Sequence, residues 1–142
     1  MVSMNQPMSE PATKHPWGDA ETPYLEIGEE AGVRRLCESF YRYIDADAPT
    51  VRAMLPREIS ASVRKLFMYL SGWFGGPDLY IAEYGHPRMR MRHAPFSIGV
   101  VEAEEWLSCM NKAMDECGID GQLRLFLETQ FHQLGHHMRN RD

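Results

Sequence analysis

The sequence predicts an all-α fold, and three observations predict it. Apolar residues recur at steps of three and four in four separate stretches, and Gly and Pro punctuate the gaps between them. Strict alternation, the mark of a strand, is confined to Arg88-Met89-Arg90-Met91-Arg92. A length of 142 residues with 44% hydrophobic content supports one core and leaves too little for a second. One domain over residues 24–142 is therefore expected. Before it, residues 1–23 carry Pro7, Pro11, Pro16 and Pro23 among Ser, Thr, Glu and Asn. Such a stretch offers no apolar stripe and is expected as a mobile N-terminal extension.

The first helix begins after Gly28, with Val33, Leu36, Cys37, Phe40, Tyr41 and Ile44 on one face, and Asp45 to Pro49 announce its end. The second is expected from about Ile59 to Phe74, where Ile59, Val63, Leu66, Phe67, Leu70, Trp73 and Phe74 repeat the stripe before Gly75-Gly76-Pro77 stops it. A third runs from about Ile98 to Cys117, with Val101, Trp106, Met110, Ala113, Met114 and Cys117 inward and Gly118 closing it. In the fourth, from about Gln122 to Met138, Leu123, Leu127, Phe131, Leu134 and Met138 share a face. Between the second and third lies Gly75 to Phe96, a long irregular segment. Within a compact helical domain a structureless run of that length needs something to hold it.

Charge and cysteine usage narrow the function classes. With a formal net charge of -5, no summed positive field favours nucleic acid or an anionic membrane; Arg88, Arg90 and Arg92 are the local exception. No apolar run approaches the roughly 18 to 20 residues that span a bilayer, and the first residues lack a charged start followed by an apolar stretch. A cytoplasmic protein is expected. Cys37, Cys109 and Cys117 are an odd set without CxxC spacing, which suggests buried or inert thiols rather than a disulfide framework or a zinc ribbon.

Two groups of residues could carry chemistry. In the irregular segment, Gly85-His86-Pro87 is followed by Arg88-Met89-Arg90-Met91-Arg92-His93-Ala94-Pro95-Phe96. A histidine in a loop is by itself more often an ordinary polar residue than a ligand. Near the other end, His132 and His136 stand four apart on a helix, a spacing that can share a metal ion. Gln133 occupies the position where a zinc protease needs glutamate, so surface histidines are the default reading there.

Five segments together resemble the group-II truncated haemoglobins over residues 24–140. They are Phe40-Tyr41; Leu66 with Leu70-Ser71-Gly72-Trp73-Phe74-Gly75-Gly76-Pro77; Gly85-His86-Pro87; Arg92-His93-Ala94-Pro95-Phe96; and Trp106-Leu107-Ser108-Cys109-Met110. The resemblance implies a truncated globin fold, a two-over-two helical sandwich around haem b (iron protoporphyrin IX), with a long irregular proximal segment. That haem would be the object that orders Gly75 to Phe96. Without a C-x-x-C-H pattern it would be held with no thioether bonds.

The same resemblance implies roles for individual residues. His93 falls at the proximal iron ligand, and its second ring nitrogen is expected to donate to a backbone carbonyl. Lys65, Tyr80 and Arg92 match positions near the haem propionates, whereas Arg88 and Arg90 read as solvated. Tyr41 and Trp106 match distal-pocket positions, each an apolar body with one donor group; without the resemblance both read as core aromatics. Leu66 would supply an apolar wall, and small Ser62 falls at the distal gate. Two departures stand out. Leu55 precedes Pro56 where the family often has an aromatic or histidine, so one distal donor is missing. The usual glycine pair near the start is reduced to Gly28 followed by Glu29.

The function so implied is reversible binding of oxygen and other diatomic gases, nitric oxide and carbon monoxide among them, in oxygen transport or with nitric oxide detoxification served by an unidentified reductase. A haem redox enzyme of peroxidase type and a diatomic-ligand sensor are the alternatives within one haem site. A helical partner-binding domain with a Met-rich surface is the alternative without haem. A monomer or weak homodimer is expected.

Overall fold

The computed structural model describes residues 12–141 and, among them, eight helices and no strand. They are α1 (Pro23–Ile27), α2 (Glu29–Asp47), α3 (Pro49–Arg52), α4 (Ser60–Trp73), α5 (Leu79–Tyr84), α6 (Met89–His93), α7 (Val100–Glu116) and α8 (Gly121–His137). The four long helices are the four predicted ones. α2 packs on both α4 and α7, and α7 on α8, which gives a sandwich of two helices over two.

The seam between them is made of the predicted stripes. Leu36, Phe40 and Ile44 of α2, Leu70 of α4, Met110 and Met114 of α7, and Leu127 and Phe131 of α8 are all fully buried. Burying a side chain of this size stabilises by about 1.5–3 kcal/mol. The seam, more than helix propensity, therefore fixes which helices pair. One expected core residue is misplaced: Val101 is 59% exposed, while Glu102 and Ala103 are buried. The phase explains it, because Val101 precedes Ala103 by two residues and so lies about 200° round the helix from it.

At the front of the domain, Thr22 caps α1 by accepting the Leu25 N–H at 3.1 Å, and Pro23 sits in the first turn. The Tyr24 N–H donates to the Phe74 carbonyl at 2.9 Å, tying α1 to the end of α4. The Tyr24 ring lies on Gly76, where a Cβ would stand 2.4 Å from the ring, so the Gly-Gly-Pro stop also makes room for α1. Between α1 and α2 the chain turns through left-handed backbone at Gly28 (φ 107°) and again at Glu29 (φ 62°).

Of the expected extension, residues 1–11 lie outside the described residues. In residues 12–22 the contacts centre on Trp17. Its ring stacks on His15 at 4.8 Å and meets Phe126 of α8 edge-on at 5.2 Å, and its Nε1–H donates to the Ala20 carbonyl at 2.9 Å. A single aromatic anchor of this kind leaves no periodicity to read.

The segment Gly75 to Phe96 is less irregular than expected, since it holds α5 and α6. Neither contains a buried residue. Helices this short are marginal in isolation, so they depend on contacts from outside their own turns.

Candidate functional site

A cavity of about 590 Å³ opens between the α2/α7 pair, α4 and the α5–α6 segment. Nearly every wall is apolar or aromatic, with Phe40, Ile44, Leu66, Phe96, Ile98 and Met138 among the contributors. All nine residues singled out in the sequence line it. Tyr41, Leu55 and Ser62 do so with Lys65, Leu66 and Tyr80, and Arg92, His93 and Trp106 complete the set.

His93 is the last residue of α6 and is half-buried. Its Nδ1 lies 2.8 Å from the carbonyl oxygen of Met89. A carbonyl only accepts, so Nδ1 carries the hydrogen, and in the neutral ring Nε2 keeps a free lone pair. This is the carbonyl partner expected from the sequence. His86, the other histidine of the irregular segment, is exposed and does not line the cavity.

Tyr41 and Trp106 arrive from α2 and α7 and are fixed by shared packing. Tyr41 meets the Phe40 ring edge-on at 5.0 Å; Trp106 meets Phe40 at 5.3 Å and Phe131 at 5.9 Å in the same manner. They are thus core aromatics and cavity walls at once. Burial, with a smaller push from Cys37, drives the Tyr41 hydroxyl well above the usual phenol range, so it stays a donor. Burial likewise raises the thiols of Cys37, Cys109 and Cys117, in keeping with inert cysteines.

Leu55 brings an apolar side chain to the wall, as its residue type requires. The turn that carries it is held by Arg52, whose guanidinium donates to the carbonyls of Pro56 and Arg57 at 2.9 Å each and pairs with Asp45 at 2.9 Å. Cations sit at the exposed rim. The Lys65 ammonium lies 5.4 Å from the Tyr84 ring, and the Arg92 guanidinium 5.5 Å from the Tyr80 ring. Arg92 also donates to the carbonyls of Pro87, Tyr84 and His86, at 2.6, 3.1 and 3.3 Å, which ties the α5–α6 connection together.

Sequence reasoning missed Tyr69, Met89 and Glu102. Tyr69 stands three residues after Leu66 on α4, stacks on Trp73 at 5.8 Å and meets Tyr80 edge-on at 6.4 Å. Its helical register was the available signal. Glu102 is a buried carboxylate at the start of α7 that accepts the Gly99 N–H at 2.7 Å. Backbone N–H donors first, and the Arg141 charge after them, hold its carboxyl below the usual range.

The cavity fits haem on its own terms. Its volume lies within the roughly 300–1,000 Å³ of cofactor and ligand sites, and its walls suit a flat apolar macrocycle. Cations stand at the rim where acidic substituents could reach them, and one imidazole nitrogen is free to bind a metal. Among the described residues no group of three or more His, Cys, Asp or Glu side chains could hold a metal by itself, so the His132/His136 pair acquires no further ligand. No helix among the described residues is long and apolar enough to cross a membrane.

Comparison with known proteins gives a consistent result. A family model for bacterial-like globins matches residues 22–140. The group 2 truncated hemoglobin YjbI of Bacillus subtilis is 40% identical over 118 residues, which covers 83% of this chain and 88% of that protein. Among solved structures, the cold-adapted truncated hemoglobin of Pseudoalteromonas haloplanktis TAC125 superposes with a TM-score of 0.83 at 39% identity, covering 86% of this chain and all of the other. A truncated oxygen-avid haemoglobin from Bacillus subtilis superposes with a TM-score of 0.80 at 38% identity, covering 84% of this chain and 100% of that one.

Proposed function

Because this chain belongs to the bacterial-like globins, and among them to the group II truncated haemoglobins, we propose that it binds haem b with His93 as the iron ligand and takes up oxygen reversibly. Haem, when bound, supplies an iron whose remaining open position accepts a diatomic gas. The protein's part is to hold, orient and exclude water. The observation that carries this reading is the Nδ1 hydrogen bond of His93 to Met89, which leaves Nε2 free on the wall of an apolar cavity.

Each remaining wall has a role that follows from its chemistry. Leu66, Leu55 and Phe96 keep the interior apolar, so water is a poor competitor for the space. Lys65, Arg92 and the Tyr80 hydroxyl would meet the two propionates through charge-assisted hydrogen bonds. Tyr41 and Trp106 bring an O–H and an N–H donor to the same space and favour a ligand that develops negative charge. The Bacillus subtilis relative described as oxygen-avid supports oxygen as the ligand. Nitric oxide and carbon monoxide fit the same position, and conversion of nitric oxide to nitrate belongs to this proposal only in the company of a reductase.

Titrating the purified protein with haem while recording its absorption spectrum tests the proposal. A sharp Soret band that saturates at one haem per chain, and shifts reversibly with oxygen after reduction, is the expected result. A chain that leaves haem with its free-solution spectrum would overturn it.

A further inference from the structure

The residues that follow α8 are tied to those that follow α6. The backbone N–H groups of Asn140 and Arg141 donate to the Ile98 carbonyl at 2.8 and 3.2 Å, and the Ile98 N–H donates back to Asn140 Oδ1 at 2.8 Å. Asn140 Nδ2 donates to the Phe96 carbonyl at 2.7 Å and to the carbonyl of His93 itself at 3.4 Å. Next to it, the Arg141 guanidinium grips both oxygens of Glu102 at 2.9 and 3.0 Å, and its Nε–H donates to Ser97 Oγ at 2.5 Å.

This clasp acts on a helix that cannot hold itself. α6 is five residues long, buries none of them and ends at His93. Helices of that length do not persist on their own turns. The carbonyl of His93 is among those a helix end leaves without an intrahelical partner, and it receives the Phe96 N–H at 3.0 Å together with the Asn140 amide. Two independent constraints thus converge on one residue. Met89 sets the rotation of the ring, and Asn140 with Arg141 sets the backbone from which the ring projects. Glu102 anchors the clasp firmly, since it is buried and also holds the Gly99 N–H at the start of α7.

We infer that Asn140 and Arg141 are positioning residues for His93, fixing the 93–98 backbone so that the imidazole meets a bound metal at one distance and tilt. The inference rests on the reading of His93 as the iron ligand. Groups that orient a metal ligand from behind tune the strength of its bond to the metal and the retention of that metal. Here the orienting groups lie more than 40 residues along the chain from the ligand.

Asn140→Asp is the discriminating variant. Its carboxylate can still accept the Ile98 N–H, but it has no hydrogen to give the carbonyls of Phe96 and His93. Three readouts apply: the iron–histidine stretching band of the reduced, haem-loaded protein by resonance Raman; haem transfer to an excess of an apo-globin acceptor; and amide exchange over residues 93–98 in the haem-free chain. A shifted or broadened band, haem loss faster by about tenfold, and quicker exchange are expected for Asn140→Asp and Asn140→Ala. Glu102→Gln, which loosens Arg141, should act in the same direction and less strongly. Lys112→Ala, which breaks the exposed pair with Asp47, should change none of the three. An unaltered band in both Asn140 variants overturns the inference, even if exchange quickens, because the clasp would then brace the backbone without placing the ligand. A band that persists in His93→Gly overturns the ligand assignment itself, whereas a band that needs His93 and ignores Asn140 sinks this inference alone.

Discussion

His93 directs its Nδ1 hydrogen at the carbonyl of Met89, 2.8 Å away and one helical turn earlier. The contact puts the hydrogen on Nδ1, leaves Nε2 its lone pair and fixes the plane of the ring. Around that nitrogen the other cavity residues take their meaning, and several consequences can be measured.

Tyr41 and Trp106 should together govern how long oxygen is retained. Each brings one neutral donor to the cavity, and a neutral hydrogen bond is worth about 0.5–1.5 kcal/mol net. Loss of either donor in Tyr41→Phe or Trp106→Phe should speed oxygen dissociation by roughly two- to tenfold. Carbon monoxide, which carries little charge, should respond much less. Stopped-flow dissociation of both gases from the two single variants and the double variant checks this, and equal oxygen off-rates in all of them would return both residues to packing alone.

Glu29 stands where the backbone wants glycine. Its φ of 62° costs a non-glycine residue about 1–2 kcal/mol, which the flexibility glycine adds to the unfolded chain offsets by about 0.4–1 kcal/mol. Glu29→Gly should therefore raise Tm by a few degrees in a calorimetric scan. Glu29→Ala, which keeps the Cβ, should not.

Alkaline pH should destabilise the protein through Cys37 and Tyr41. Burial raises both groups above their ordinary values, so the folded chain keeps protons that the unfolded chain gives up. Stability is then complete below the unfolded values, near 8.5 for cysteine and 10 for tyrosine, and declines above them by up to about 1.4 kcal/mol per pH unit for each group. Urea melts from pH 8 to 11 should follow that decline, with a shallower slope in Cys37→Ala and in Tyr41→Phe. A flat profile in the unmodified protein would contradict it.

Trp17 should matter to stability and not to the cavity. It packs on Phe126 and His15 and does not line the pocket. Truncating this half-buried ring should cost about 1–2 kcal/mol, or about 3–8 °C in Tm. Haem affinity in Trp17→Ala should match that of the unmodified protein, and a large loss of haem would show that residues 12–22 reach the site.

The parts of this molecule that were legible in the sequence are those written as periodicity. The stripes of α2, α4, α7 and α8 name the seam almost residue by residue, and Val101 is misplaced only because a helix's first turn offers too few residues to fix its phase. α5 and α6 could not be read this way, since neither has a buried face. α5 packs on α4, Arg92 ties the end of α5 to the loop through the carbonyls of Tyr84, His86 and Pro87, and Asn140 and Arg141, whose partners lie 39 to 47 residues away, hold the chain from His93 onward. Contacts of that span leave no local pattern. Trp17 escaped for a related reason: one aromatic among prolines docks a segment without making a stripe. For the cavity, the reading depended on residue types at matched positions, and Tyr69 and Glu102 were missed because a helical tyrosine and a helical glutamate are ordinary on their own.

The most direct test of the account is the absorption spectrum of haem-loaded His93→Gly beside that of His86→Ala. His93→Gly should bind haem weakly and lose the native band, with added imidazole restoring it in part, while His86→Ala should keep haem and spectrum unchanged. A native spectrum in His93→Gly, together with haem loss in His86→Ala, would contradict the assignment on which the site is built.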